Sequence, residues 1–353
     1  MLYEVKTKKL PKSEVEVEIS LPSDFLVSSR KKAIEMFSTS LEISGFRKGH
    51  IPENIVVEKV GEATVLEEAA NILLKEHFPK IIEQEKIDIL GQPQISITKL
   101  AIGNPVEFRS VFAVLPEIKL PDYKKIASNI IKEAKPSSAP ATAGEEEIAD
   151  VLLQIRRNKA HFDWHKNDPD EKDHNHPEIK DEDLPILDDT MAKEAGNFKD
   201  LDELKEKIKQ NIVAEKNAKV IEKRRAQIME ELLRATAIDL PEILVESETE
   251  KSLAQMKDEV KRAGGVFGDY LLQTKKSEED LKKDLRGSSE KKAKIQLIFN
   301  KIAETEKLEP NKEILENEVK EVLKHYPDAS ETNARIYVAT ILLNSEVLRL
   351  LEN

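Results

Sequence analysis

The sequence predicts a multidomain α+β chain, with a mixed α+β domain first and an elongated all-α body with helical arms after it. Three observations carry that expectation. Strand-period alternation is concentrated before residue 115, as where Val15, Val17 and Ile19 alternate with Glu14, Glu16 and Glu18. Apolar stripes at helical spacing recur through the rest of the chain. The 353 residues include 35% charged and 5% aromatic side chains, a mix that favours long, solvent-laced helices over compact sheets. The length suffices for two or three domains, each with its own core.

Taken in order, residues 1–115 read as one strand, then helices, then two more strands, giving a sheet with helices on one side. The first strand holds Val15, Val17 and Ile19. Ser23 or Asp24 can cap a helix that turns Leu26, Ile34, Phe37 and Leu41 inward and leaves Arg30, Lys31 and Lys32 outside. A helical run with Ile55, Val56 and Val60 breaks at Gly61. A longer helix then carries Val65, Leu66, Ala69, Ile72, Leu73, Phe78 and Ile82. Gln94–Leu100 and Val106–Val114 form a hairpin around Gly103-Asn104, with Val106, Phe108, Phe112 and Val114 on one face.

Residues 116–164 are a connector and the first helix of the body. Pro116, Pro121, Pro136 and Pro140 punctuate the connector, and Ser137 to Gly144 is of low complexity. The helix after it carries Ile148, Val151, Ile155 and Phe162 and ends near Trp164. Residues 165–183 hold eight acids, three lysines and three histidines with almost nothing apolar, the composition of a flexible linker. His174 and His176 near Asp173 are read as part of that linker, not as metal ligands, for no packed second shell accompanies them.

Residues 184–353 read as helices throughout. Asp200 opens a long one with Leu201, Leu204, Ile208, Ile212, Val220, Ile228 and Leu232, an arm or spine. Leu240-Pro241 starts another, closed by Gly264-Gly265. Ser277-Glu278-Glu279-Asp280 begins a third, and Pro310 and Pro327 separate the last ones. Their apolar stripes are expected mostly to pack a core; an exposed patch larger than monomers tolerate would mark a binding surface instead.

Charge and composition narrow the function. The net charge of −12 argues against a general nucleic-acid binder, but residues 1–115 carry 15 Lys/Arg against 17 Asp/Glu, so most of the excess negative charge lies beyond them. That suits docking through a small basic patch. There is no cysteine, hence no disulfide or thiolate chemistry. The first residues lack a cationic stretch followed by an apolar one, and no apolar run approaches bilayer length, so a cytoplasmic protein with no membrane partner is expected. No phosphate-binding glycine loop or nucleophile motif occurs, so no cofactor, metal or catalytic residue is expected.

One stretch stands out: Ser44-Gly45-Phe46-Arg47-Lys48-Gly49-His50-Ile51-Pro52, set between two helical runs. Two glycines let the backbone turn sharply around an aromatic and two cations. Pro52, at a first helical position, fixes the exit of the loop. The pattern presents one apolar plug and two donors to an anionic surface such as RNA or carboxylates. A solvated inter-helix loop could contain the same residues.

Gly45-Phe46-Arg47-Lys48-Gly49-x-x-Pro52 resembles the ribosome-docking signature of the bacterial trigger factor family. The resemblance covers the chain to about Pro116 and continues more weakly through the helical remainder. It implies an ATP-independent chaperone whose partners are the ribosome, through exit-tunnel protein and rRNA, and nascent or unfolded polypeptides. Gly45, Phe46, Arg47, Lys48, Gly49 and Pro52 would form the ribosome-binding site, and free copies could form a homodimer. Two features depart from the family: His50 replaces its usual lysine, and its FKBP-type prolyl isomerase domain has no room between Trp164 and Leu184, since even small domains need roughly 50 residues. The implied protein is therefore not an enzyme. Two alternatives are an isomerase of degenerate sequence, which that short interval opposes, and a ribosome-bound assembly factor or helical scaffold without client activity.

Overall fold

The computed structural model describes residues 3–133, 142–167 and 180–352. By packing they group into two units, Met1–Leu120 with Ala235–Lys307, and Pro121–Arg234 with Leu308–Asn353.

The N-terminal part of the first unit runs β1 (Glu4–Leu10), β2 (Glu14–Leu21), α1 (Ser23–Ser40), α2 (Glu53–Val60), α3 (Glu62–Gln84), β3 (Ile89–Lys99) and β4 (Val106–Val114). The four strands make an antiparallel sheet in the order β1-β2-β4-β3. Its core face is the expected one: Val15, Val17, Ile19 and Leu21 of β2 and Val106, Phe108 and Phe112 of β4 are buried in one cluster with Leu26, Ala33 and Ile34 of α1 and Val65, Ala69, Leu73 and Phe78 of α3. The β3–β4 turn closes with Asn104 N–H donating to the Ala101 carbonyl at 3.2 Å.

The sheet has one strand more than the three expected. β1 pairs with β2 from Glu4↔Ser20 to Leu10↔Glu14, yet five of its seven residues are exposed. It is an edge strand rich in lysine, a composition that blunts edge-to-edge association and also erases the apolar alternation by which a strand is recognised. Arg30 is a second correction. It does not point to solvent: its side chain is only 19% exposed and reaches Glu62 and Glu53, the first residues of α3 and α2. An arginine on the flank of a stripe reads as surface in one dimension, because its partners lie 23 and 32 residues away.

The chain continues with α4 (Tyr123–Glu133), α5 (Glu145–Asn167), α6 (Asp189–Gly196), α7 (Leu201–Ala235), α8 (Glu242–Arg262), α9 (Phe267–Thr274), α10 (Glu278–Glu306), α11 (Lys312–His325) and α12 (Glu331–Glu352). Within the first unit α8 packs along α10, around Leu240, Val245 and Ala293. The glycines close α8 as expected: Gly264 has φ 79°, and Gly265 N–H donates to the Val260 carbonyl at 2.9 Å. Ser277 and Asp280 form a capping box at the start of α10.

In the second unit, α5, α6 and α7 share a small core of Leu152, Ala192, Leu204 and Ile208, and α11 and α12 share another of Val319, Ala334 and Val338. α7 has 35 residues and so spans roughly 50 Å. The connector holds a helix that its prolines concealed: α4 starts after Asp122, whose carboxylate accepts Lys125 N–H at 3.0 Å, and packs on α12. The helix expected to end near Trp164 continues to Asn167. Most of the expected linker over 165–183, including His174 and His176, lies outside the described residues, as does most of the Ser137–Gly144 stretch. Where the chain re-enters, Arg156 of α5 donates to the carbonyls of Pro185 at 2.8 Å and Leu184 at 3.1 Å. Arg157 pairs with Asp181 at 2.8 Å. Residues 181–185 are thus tied back to α5.

Candidate functional site

The expected site residues lie together in the loop Leu41–Pro52 between α1 and α2. Two consecutive β-turns build it. Phe46 N–H donates to the Ile43 carbonyl at 3.1 Å, and His50 N–H donates to the Arg47 carbonyl at 3.0 Å. In each turn the third residue is a glycine in the left-handed region, Gly45 at φ 93° and Gly49 at φ 81°. A turn of this kind requires positive φ at that position, which a Cβ makes unfavourable. Space is not the reason, for a Cβ on Gly45 would meet nothing within 4 Å.

The loop is stitched to the helix before it. Gly49 N–H donates to the Ser38 carbonyl at 2.8 Å, and Ile51 N–H donates to Ser38 Oγ at 3.0 Å. Ser38 and Ile51 are both buried, and Leu41 and Ile43 pack on the core cluster. Pro52 differs slightly from expectation: at ψ 146° it is the residue before α2, and its carbonyl accepts N–H groups of Ile55 and Val56 at 3.1 Å. Its fixed φ still sets the direction in which the loop enters the helix. Arg30 then holds both helix starts, with Nε and Nη2 on the two Glu62 oxygens at 2.7 and 2.8 Å and Nη1 on Glu53.

Between these anchors everything from Ser44 to His50 is exposed. Phe46 keeps 42% of its surface in solvent, an unusual cost for a phenyl ring with no partner in its own domain. Lys48 reaches Glu42 at 2.6 Å, with both side chains more than half exposed, and such a pair contributes about 0–1 kcal/mol. Arg47 makes no ion pair among the described residues. The tip is therefore pinned in backbone and lightly partnered in side chains, with one exposed ring and two exposed cations. Ser38, Arg30 and Glu42 escaped the sequence reading. Ser38 alone left a trace there, as a polar residue four after Ile34 on the inward stripe.

Glu42 sets up a test. Replacing it by Gln frees Lys48 from its neighbour, and a few-fold gain in affinity of the tip for an anionic surface is expected, since one exposed pair amounts to under about 1 kcal/mol. Titration of ribosomes with the variant at low salt checks it.

The helices add apolar surface in solvent. α9 buries none of its residues, Leu272 is 78% and the adjoining Val266 65% exposed, and Phe267 and Tyr270 stack at 5.9 Å. On α12, Ile336, Tyr337 and Ile341 are about half exposed or more, on residues that do not join the core shared with α11. Among the described residues no cluster of His, Asp or Glu is arranged to hold a metal ion, and no helix is long and apolar enough to cross a membrane.

A pinned loop that exposes an aromatic ring and two cations, together with helices that expose apolar side chains, is the surface pattern of a binding protein. Comparison with known proteins places it. The model described as "Bacterial trigger factor protein (TF)" matches residues 3–152, and that described as "Bacterial trigger factor protein (TF) C-terminus" matches residues 200–342. The chain belongs to the bacterial trigger factor family, which consists of ribosome-associated chaperones. It is similar to the trigger factor of Clostridium botulinum (strain Hall), 26% identical over 420 residues, and to that of Clostridium kluyveri, 25% identical over 430, with 98% of both chains covered in each case. Both alignments are longer than this chain, so the relatives carry residues with no counterpart here. The two family models leave 153–199 unmatched. A solved structure presented as "Promiscuous Substrate Recognition in Folding and Assembly Activities of the Trigger Factor Chaperone" has a TM-score of 0.56 at 18% identity over 99% of each chain, a likeness of fold.

Proposed function

We propose that this chain is an ATP-independent chaperone that docks at the ribosomal exit tunnel through Gly45, Phe46, Arg47, Lys48, Gly49 and Pro52 and holds nascent polypeptides on its helical surfaces. The observation that carries the reading is the tip itself, a backbone pinned by Ser38 and two glycine turns that presents Phe46, Arg47 and Lys48 with almost no partners of their own. The cations meet ribosomal RNA or acidic protein, and the ring enters an apolar hollow. Affinity should fall as salt rises, by roughly 0.7–0.9 logarithmic units per contacted phosphate for each tenfold increase in salt, as nucleic-acid contacts show.

Client holding is supported by the apolar side chains that α9 and α12 leave in solvent. Many weak apolar contacts allow release without nucleotide, because no single one dominates. The reading divides the chain into a docking domain (1–115), a connector with the first body helix (116–164), an acidic linker (165–183) and a chaperone body (184–353). It also includes a cytoplasmic location, self-association of free copies and the lack of isomerase turnover. Suppression of aggregation of an unfolded client by the free protein tests the holding function; an unaltered aggregation rate at several-fold molar excess would leave only a scaffold.

The isomerase is tested separately. The family models leave 153–199 unmatched, and the described parts of that interval are α5, α6 and their tether. Catalytic amounts of protein are expected to leave a proline-limited refolding rate unchanged, and clear acceleration would show that the chain carries an isomerase site.

A further inference from the structure

The β1–β2 turn is strained in a way that the docking site does not explain. It runs Pro11–Glu14, with both central residues in the left-handed region, Lys12 at φ 59° and Ser13 at φ 49°. A two-centre turn of this hand favours Asn-Gly, since a Cβ disfavours positive φ. Here the sequence is Lys-Ser, and both side chains are engaged elsewhere in the same packing unit. Ser13 N–H donates to Asp239 Oδ2 at 3.1 Å, and Ser13 Oγ donates to the Asp239 carbonyl at 2.6 Å. Lys12 Nζ reaches Glu242 Oε2 at 3.1 Å, while the other Glu242 oxygen takes Arg286 of α10. The hydrogen bond from Arg286, then that from Lys12, holds the Glu242 carboxyl below the usual carboxylate range. A second strand takes part: a Cβ on Gly91 of β3 would overlap the side chain of Ile243.

Strained backbone persists where surrounding contacts over-determine it; the Ser13 carbonyl accepts Val114 N–H of β4 at 2.9 Å, and the side-chain contacts of the turn converge on residues 239–242. We infer that Lys12, Ser13 and Asp239 are positioning residues that latch the root of the α8–α10 helical hairpin onto the docking domain. The turn trades its own best sequence for two side chains that grip another element. Asp239 accepts from the turn just before α8 begins, and Glu242, the first residue of α8, joins the turn to α10 through one carboxylate. The start of α8 is therefore fixed to the domain that carries the tip, and α10 is tied to the same Glu242 carboxylate through Arg286, so that the exposed apolar residues of α9 are carried from a defined base. The inference concerns the fold and stands whether or not the tip binds ribosomes.

Two variants of the full chain separate a latch from ordinary structural damage. Lys12→Asn with Ser13→Gly installs the sequence that the turn geometry favours while removing both side-chain grips. Asp239→Asn keeps shape and removes charge. In both, amide hydrogen exchange over residues 239–246 is expected to quicken by about tenfold, while exchange in β2 and β4 stays as in the wild type, because local opening is set by local contacts. The double variant should melt no lower in its sheet than the wild type. Raising the salt until the screening length falls from about 30 Å to about 3 Å should quicken the same amides in the wild type and in Asp239→Asn, which both keep the Lys12–Glu242 pair, and change them less in the double variant, which lacks it. Unchanged exchange at 239–246 in both variants would overturn the latch. So would an increase shared equally by the sheet, which would mean that the turn serves only its own hairpin.

Discussion

Simultaneous replacement of Phe46, Arg47 and Lys48 by alanine is expected to abolish co-sedimentation with ribosomes while helicity and melting stay as in the wild type. Ser44 to His50 are exposed, so truncating three of their side chains removes almost no packing from the domain. The backbone of the loop is held by Ser38, Gly45 and Gly49, none of which changes. On the binding side, a buried aromatic anchor and two charge contacts together amount to about 3–6 kcal/mol, a loss of at least a hundredfold in affinity. Phe46→Ala alone should keep a salt dependence, since both cations remain. The Arg47, Lys48 pair of substitutions should flatten it. Undiminished binding by the triple variant would place docking elsewhere.

Arg30→Ala is expected to have the largest effect on stability among single changes near the tip. It leaves two carboxylates, Glu53 and Glu62, facing the void where a three-bonded guanidinium sat. The Arg30 side chain is mostly buried, Glu62 is about two-fifths exposed and Glu53 more than half, and each acid gains from its helix N-terminus, so the loss is smaller than for a fully buried pair. A cost of about 2 kcal/mol is expected, which lowers the melting midpoint of the N-terminal domain by roughly 8–12 °C. Lys at this position restores charge but not the fork and should recover only part.

The pH dependence follows from the direction of the shifts. The hydrogen bonds from Arg30 push the Glu62 carboxyl below its usual range, and those from Glu62 and then Glu53 push the Arg30 guanidinium further up. A carboxyl depressed in the folded state contributes stability that is complete above its ordinary value, near 4.3, and is lost as pH falls through the folded one. Wild type and Arg30→Ala should therefore differ fully at neutral pH, begin to converge as pH falls below about 4.3, and meet only below the depressed value of Glu62. Urea unfolding of the domain across that range checks both sign and size.

What was legible in the sequence follows from what each element needs. β2 and β4 were readable because one face of each is buried and the other wet, so the alternation survives in the letters. The tip was readable because its turns require glycine at fixed places. β1 was not, since an exposed edge strand is selected for charge, and its pairing is stated by β2, not by itself. α4 was hidden by the prolines around it, although Asp122 before Ile126 and Ile130 is a serviceable start signal. The roles of Arg30, Ser38 and Ser13 are long-range. Each is one polar side chain whose partner lies 13 to 226 residues away, and no local pattern records that.

One chain is proposed both to dock at the exit tunnel and to hold what emerges. The most direct measurement is site-specific crosslinking of the intact protein to ribosomes stalled on an unfolded nascent chain, with photoreactive groups placed at Leu272 on α9 and at Ile336 on α12. Crosslinks to the nascent chain are expected from these positions, lost when Phe46, Arg47 and Lys48 are all alanine. Crosslinks that persist in the triple variant, or ribosome binding with no crosslink to the nascent chain from either position, would contradict it.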